Sequence, residues 1–134
     1  MLLRNLRLKK LHAMPNNYRS KFEQRVCEAL PCKFKYEPWP IHFTYPAKAA
    51  RYLPDVLLPN GVIVEIKGRF TNADRKKHKA IKNSTGGKYD IRFLFQCDNT
   101  IYKGSKTRYS DWAKKHGFQY HVGKTIPEEW INVR

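Results

Sequence analysis

The sequence predicts an α/β domain built on one mixed β-sheet flanked by helices, and three observations carry that reading. A helix-start signal, Ser20-Lys-Phe-Glu23, opens a run with Phe22, Val26 and Leu30 at a spacing of four. A hairpin signal, "YLPDVLLPNGVIVEIKG" over residues 52–68, joins two apolar runs at Pro59-Asn60-Gly61. Beyond it a basic helical stretch leads to a third apolar run, "DIRFLFQC", and this β-α-β order calls for parallel pairing within one sheet.

Taken in order, residues 1–17 are basic, leucine-rich and free of acids, the first acid being Glu23. Such a segment can imitate a mitochondrial presequence, but it is poor in serine and stops at Pro15 just before a helix start. It reads as a basic arm that orders on nucleic acid. Residues 18–134 read as a single domain, because a chain of 134 residues with 41% hydrophobic content suffices for one compact core and not comfortably for two. Pro31 ends the first helix. The stretch "KFKYEPWPIHFTYPAKAARY" follows as extended chain, since aromatic and β-branched residues alternate with polar ones while Pro38, Pro40 and Pro46 forbid helix, and it is expected to be exposed or bridging. After the hairpin, Asn72 can cap a helix through "ADRKKHKAIKN" whose face of Arg75, Lys76, Lys79 and Lys82 is too basic for a core. "STGGK" breaks the chain before the strand "DIRFLFQC". A helix over "YSDWAKKH" then ends at Gly117, and "FQYHV" forms a last strand.

Charge narrows the function. The excess of 27 Lys and Arg over 11 Asp and Glu gives a formal net charge of +16, spread along the whole chain. Self-repulsion makes that costly unless the partner is a polyanion, and nucleic acid is the first candidate. No run of about 18 apolar residues is present to span a bilayer. Cys27, Cys32 and Cys97 are odd in number and lack C-x-x-C spacing, which suits buried free thiols in a reducing compartment rather than disulfides or zinc. His42, His116 and His121 carry no spacing signal, and Trp39, Trp112 and Trp130 read as packing residues.

The hairpin locates the chemistry. A two-residue Asn60-Gly61 turn would place Asp55 opposite Ile66 and away from Glu65. Pro59 favours a different loop, because its fixed φ suits the second position of a type I turn, with Gly61 supplying the left-handed residue of a three-residue bulged loop. Asp55, Leu57, Ile63, Glu65 and Lys67 then share one face, and Val56, Leu58, Val62, Val64 and Ile66 form a wholly apolar one. The charged face is expected to be open to solvent or ligand. Two carboxylates directly across a strand pair repel each other by up to roughly a kcal/mol. A divalent cation removes that conflict, and an Asp–Glu pair in so basic a chain points to Mg²⁺-assisted phosphodiester chemistry. Lys67, on the same face, can orient or deprotonate the attacking water or stabilise charge in the transition state. The competing reading is an ordinary solvated strand face with Asp55 capping its entry.

Pro54-Asp55 followed by Glu65-Ile66-Lys67 also meets the P-D…(D/E)-x-K signature of restriction-endonuclease-like nucleases. The wider series "YRSKFEQRV", "KFKYEPW", "PDVLLPNGVIVEIKG", "DRKKH", "DIRF", "YKGS", "KHG" and "IPEEWI" resembles the endonuclease I family of podophages, nucleases that resolve four-way (Holliday) DNA junctions, across about residues 18 to 131. The resemblance implies a catalytic set of Glu23, Asp55, Glu65 and Lys67. It further implies two Mg²⁺ or Mn²⁺ ions held by Asp55, Glu65, Glu23 and the backbone carbonyl of Ile66, and an enzyme of the infected host cell's cytoplasm. The implied assembly is an intertwined homodimer in which a bridging segment near residues 40–52 crosses over, so that Glu23 of one chain completes the site of the other. Arg19, Arg75, Lys76, Lys77, His78 and Lys103 are the candidate contacts to branched DNA. A duplex-specific nuclease on the same core, or a basic binding protein without catalysis, are the alternatives. Converging acids argue against the last, since binding alone would favour neutralising them.

Overall fold

The computed structural model describes residues 18–45 and 48–132. The basic arm expected at residues 1–17 therefore lies outside the described residues, as do Pro46, Ala47 and the last two residues. The first helix, α1 (Lys21–Ala29), begins where expected, with the Ser20 hydroxyl accepting from the backbone N–H of Glu23 at 3.0 Å. Leu30 is already extended, and Pro31 follows it. Phe22, Val26 and Cys27 are the buried stripe of this helix.

Five strands make the main sheet, in the order β1 (Lys35–Tyr36), β4 (Val56–Leu57), β5 (Ile63–Lys67), β6 (Ile91–Phe95) and β7 (Tyr120–Val122). β1, β4 and β5 pair antiparallel, whereas β5, β6 and β7 pair parallel, so the sheet is mixed. Two helices connect the parallel strands, α2 (Asn72–Ser84) and α3 (Tyr109–Lys115), and a short α4 (Glu128–Ile131) closes the described chain. Nothing in the sequence reading foresees α4.

The β4–β5 connection is the three-residue loop that Pro59 favours. Val56 lies opposite Val64 and Leu57 opposite Ile63. The N–H of Leu58 donates to the Val62 carbonyl at 2.8 Å, that of Gly61 donates back to the Leu58 carbonyl at 3.0 Å, and Gly61 has φ +89°. The Asn60 side chain accepts from the Val62 N–H at 3.1 Å and donates to the Trp130 carbonyl at 2.7 Å, which ties the loop to α4.

The sheet has helices on both faces. Val56, Leu58, Val62, Val64 and Ile66 pack with Leu94 against α1 and Trp130. On the opposite face Phe93 and Phe95 pack with Phe70, Trp112 and Phe118, and Ile63 and Ile91 pack with Ile81 of α2. The segment near residues 40–52 is extended, as its prolines and alternation predict. In this chain β2 (Ile41–Thr44) and β3 (Ala49–Tyr52) pair antiparallel, Ile41 opposite Tyr52 and Thr44 opposite Ala49. The alternation in "IHFT" gives the pair one apolar side, and Ile41, Phe43 and Tyr52 bury it against Ile63, Ile81 and Ile91.

α2 differs from its expected form. Its cap is Thr71, one residue before Asn72, in a complete capping box with Asp74. Its face is not wholly solvated, because Arg75, His78 and Ile81 are buried. A helix lying on a sheet must cover one stripe, and with few aliphatic residues available the amphipathic bodies of Arg75 and His78 fill it. The Arg75 guanidinium donates to the Phe70 carbonyl at 2.7 Å, and the His78 ring meets Tyr52 and Phe93 edge-on at 5.1 and 4.9 Å.

Candidate active site

Continuing the Val56–Val64 register by one residue sets Asp55 across from Glu65. One Asp55 oxygen accepts from the Ile66 backbone N–H at 2.8 Å, at the end of β5 where Lys67 also stands. Glu65 is held at both oxygens. Its Oε1 accepts from the Tyr52 hydroxyl at 2.6 Å, and its Oε2 lies 3.3 Å from Lys67 Nζ and 3.7 Å from His78 Nε2. At 3.7 Å the histidine makes no hydrogen bond, and among the described residues neither of its ring nitrogens has a hydrogen-bond partner, so its contact with the carboxylate is a close approach rather than a bond. Lys67 reaches across to Asp74 Oδ1 at 3.2 Å, while the other Asp74 oxygen accepts from the Thr71 N–H at 3.0 Å. One carboxylate thus both caps α2 and steadies the lysine.

The charged side of β5 is not the open face that the alternation predicts. Asp55 and Glu65 are only 8% and 4% exposed, Glu65 lying beneath Tyr52 of β3 and His78 of α2. Burial makes their charges interact strongly. Burial first, then the negative charge of Glu65, pushes the Asp55 carboxyl well above its ordinary range. Burial would also raise Glu65, but His78, Lys67 and the Tyr52 hydroxyl outweigh it and draw Glu65 below its ordinary range. The pair therefore favours one charge rather than two. Lys67 is partly desolvated, which works against its charge, yet Glu65, Asp74 and Asp55 prevail and hold the ammonium form.

Glu23 is buried and directed elsewhere. A full capping box would turn its carboxylate back to the Ser20 N–H; instead it accepts from the Tyr36 hydroxyl at 2.7 Å, so only the Ser20 half of the box forms. Burial raises its pKa, the Tyr36 hydrogen bond opposes this, and Glu65 adds to the rise, so Glu23 lies within electrostatic reach of the Asp55–Glu65 pair of its own chain. Among the described residues no three His, Cys, Asp or Glu side chains close into a ready-made metal cage. The structure brings Asp55, Glu65 and Lys67 together and leaves Glu23 at a remove.

Of the candidate DNA contacts, Arg19, Lys76 and Lys103 are exposed, Arg19 in an ion pair with Glu37. Lys77 is half-buried, with its ammonium 5.2 Å from the Tyr52 ring centre. Arg75 and His78 are inside the domain, where they serve the α2–sheet contact, and His78 belongs to the surroundings of Glu65. Tyr36, Tyr52 and Asp74 are the polar partners that the sequence reading missed. Only Asp74 had a readable signal, the Thr-x-x-Asp pattern of a capping box.

The family model described as phage endonuclease I matches residues 5–134. The chain belongs to that phage endonuclease I family. It is 42% identical over 118 residues to Endonuclease I of Escherichia phage T7, covering 85% of this chain and 78% of the relative. To Endodeoxyribonuclease 1 of Enterobacteria phage T3 it is 40% identical over 114 residues, covering 82% and 74%. Membership of the phage endonuclease I family makes the protein an enzyme, a deoxyribonuclease.

Proposed function

We propose that this endonuclease is metal-dependent and structure-selective, resolving four-way DNA junctions in the infected host cell by hydrolysing a phosphodiester in each of two opposed strands. The observation that carries the reading is the meeting of Asp55, Glu65 and Lys67 at the end of β5, where the two buried carboxylates face each other across the strand pair and the charge of Glu65 raises Asp55. That donor set fits Mg²⁺ or Mn²⁺, since such ions are held by one or two carboxylates together with substrate phosphate rather than by an all-protein cage. Asp55, Glu65 and the Ile66 carbonyl would hold the ion, with Glu23 toward a second one, as the resemblance implies. When bound, the ions supply Lewis-acid stabilisation of the phosphoryl oxygens and lower the pKa of the attacking water.

The remaining steps belong to the chain's own groups. To hold a cation Asp55 would have to release its proton to solvent, a cost that the cation's positive charge would offset by relieving the repulsion between Asp55 and Glu65. Lys67, kept as an ammonium by Glu65, Asp74 and Asp55, is suited to stabilising charge on the phosphoryl group and poorly suited to accepting a proton. Tyr52 holds the rotamer of Glu65.

A two-fold homodimer presents two such sites at a fixed separation, which suits a junction with two symmetry-related strands. Opening the β2–β3 hairpin would let α1 and β1 make the Glu23 and Tyr36 contacts on a second copy. Arg19, Lys76, Lys77 and Lys103 supply phosphate contacts that read shape rather than base edges.

The test uses end-labelled four-way junction and matched linear duplex, with and without Mg²⁺ or Mn²⁺, beside a Glu65→Ala variant. The wild type should cut the junction in the presence of metal. The variant should bind it and cut about a thousand-fold more slowly or worse. Equal cutting of linear duplex would end junction selectivity, and normal cutting by Glu65→Ala would end the assignment of the site.

A further inference from the structure

Beside the catalytic face a cleft of about 750 Å³ opens between the segment that leaves β5 and the loop that precedes α3. It lies past the carboxyl ends of the parallel strands β5 and β6, the end of an open α/β sheet where ligands bind. Phe70 and Trp112 form apolar parts of its wall and Tyr102 stands at its edge. Thr71, another wall residue, is bonded to the same Asp74 carboxylate that contacts Lys67, so cleft and catalytic lysine share a border.

The loop carrying Tyr102 is well anchored. Thr100 bridges Arg108, the Ile101 N–H donates to the Thr107 carbonyl at 2.8 Å, and the Tyr109 N–H donates to the Asn99 carbonyl at 2.9 Å. A loop that spends these bonds on holding its shape nevertheless leaves Tyr102 64% exposed. Among the described residues the ring and hydroxyl of Tyr102 make no stacking contact and no hydrogen bond. Exposed Lys103 and Lys106 lie in the same loop, as does exposed Arg108, whose guanidinium donates to the Asp98 carbonyl at 2.7 Å, and exposed Arg69 lines the cleft from the segment that leaves β5. An aromatic platform set among cations and open to solvent is the chemistry that takes a nucleic-acid strand, the ring for a base and the cations for its phosphates.

We propose that this cleft receives the DNA strand next to the cleaved phosphate and that Tyr102 stacks on one of its bases, with Lys103, Lys106 and Arg69 on the flanking phosphates. The inference rests on the reading of Glu65 and Lys67 as the cleavage site. Where the arms of a junction are not coaxially stacked, a base at the branch point lacks a stacking neighbour on one side, so the ring replaces a missing contact there, whereas in continuous duplex it would have to displace one. Tyr102 thereby favours branched over linear DNA without reading sequence.

The experiment uses the full chain in a Glu65→Ala background, so that DNA is bound and not consumed, and a four-way junction carrying 2-aminopurine at positions flanking the cut. With Tyr102 or Tyr102→Phe, the fluorescence of one labelled position should be quenched on binding. With Tyr102→Ala the quenching should disappear and the affinity for the junction fall roughly ten-fold, while the affinity for linear duplex changes little. Because the side chain is exposed, the melting temperature should stay within about two degrees of its parent. A Tyr102→Ala chain that binds and quenches like its parent overturns this inference and leaves the cleavage site untouched. Normal cutting by the Glu65→Ala parent would overturn the reading beneath it.

Discussion

The two sides of β5 are almost equally removed from solvent and differ completely in chemistry. Val64 and Ile66 are 0% and 5% exposed and face a dry layer formed with α1, Leu94 and Trp130. Glu65, between them in sequence, is 4% exposed on the other side, among Tyr52, His78 and Lys67. Burial on the first side stabilises the fold, since apolar area leaves water and close packing is gained. Burial on the second side costs free energy, because charged groups lose hydration that their partners only partly replace. Ile63 shares the second side and is buried in an apolar cluster of its own, so the cost falls on the charged positions alone, and substitutions at Ile66 and at the acids should differ in sign as well as in size.

The largest stability effect belongs to the apolar side. Ile66→Ala removes a buried side chain from the layer against α1 and should destabilise the protein by about 2–5 kcal/mol. Its backbone carbonyl and the N–H that Asp55 accepts from both remain, so at a temperature where the variant is folded it should still cleave. Urea unfolding and single-turnover cleavage at low temperature separate the two effects. A variant with wild-type stability and no cleavage would show that the division between the two sides is wrong.

Much of this arrangement is legible in the sequence, for reasons that are local. The Asp55–Glu65 register follows from Pro59 and Gly61, whose backbone preferences act within the loop itself, and the alternation of Val62 to Lys67 then assigns the faces. The starts of α1 and α2 follow likewise from Ser20 and from a cap displaced by one residue to Thr71. What covers the charged face was not legible. Arg75 and His78 look like members of a solvated basic face, and only the tertiary contact of α2 with the sheet turns them inward. Tyr36 and Tyr52 carry no pattern that marks them as partners of Glu23 and Glu65, since those pairs are each separated by 13 residues and meet only when β1 and β3 are in place.

The charged side offers the next test. Tyr52→Phe keeps the ring that packs on His78 and removes only the hydroxyl bonded to Glu65. Losing a group that orients a metal-binding carboxylate typically costs about ten- to a hundred-fold. Cleavage should fall in that range, the Mg²⁺ concentration needed for half-maximal rate should rise, and junction binding without metal should be unchanged. An unchanged Mg²⁺ requirement would reduce Tyr52 to a packing residue.

The smallest effect has the most informative sign. Asp55 is pushed well above its ordinary range by burial and then by Glu65, so the folded state binds its proton more tightly than the unfolded chain does. Below the unfolded value of 3.8 the carboxyl is protonated in both states and carries no penalty. As pH rises above that value the unfolded chain releases the proton first, and folding pays an increasing cost until the folded carboxyl ionises as well. Asp55→Asn removes the titration while leaving an oxygen to accept from the Ile66 N–H. In a buffer with chelator and no divalent ion, the variant should therefore be more stable than the wild type at neutral pH by about 1 kcal/mol, with an advantage that shrinks toward pH 4. Cleavage should be lost across the same range. Adding Mg²⁺ should raise the melting temperature of the wild type and not that of Asp55→Asn, because only the carboxylate gains a partner. A variant less stable than the wild type at neutral pH would mean that Asp55 holds the hairpin together, and the division into a stabilising side and a costly one would fail at the acid that faces Glu65 across the strand pair.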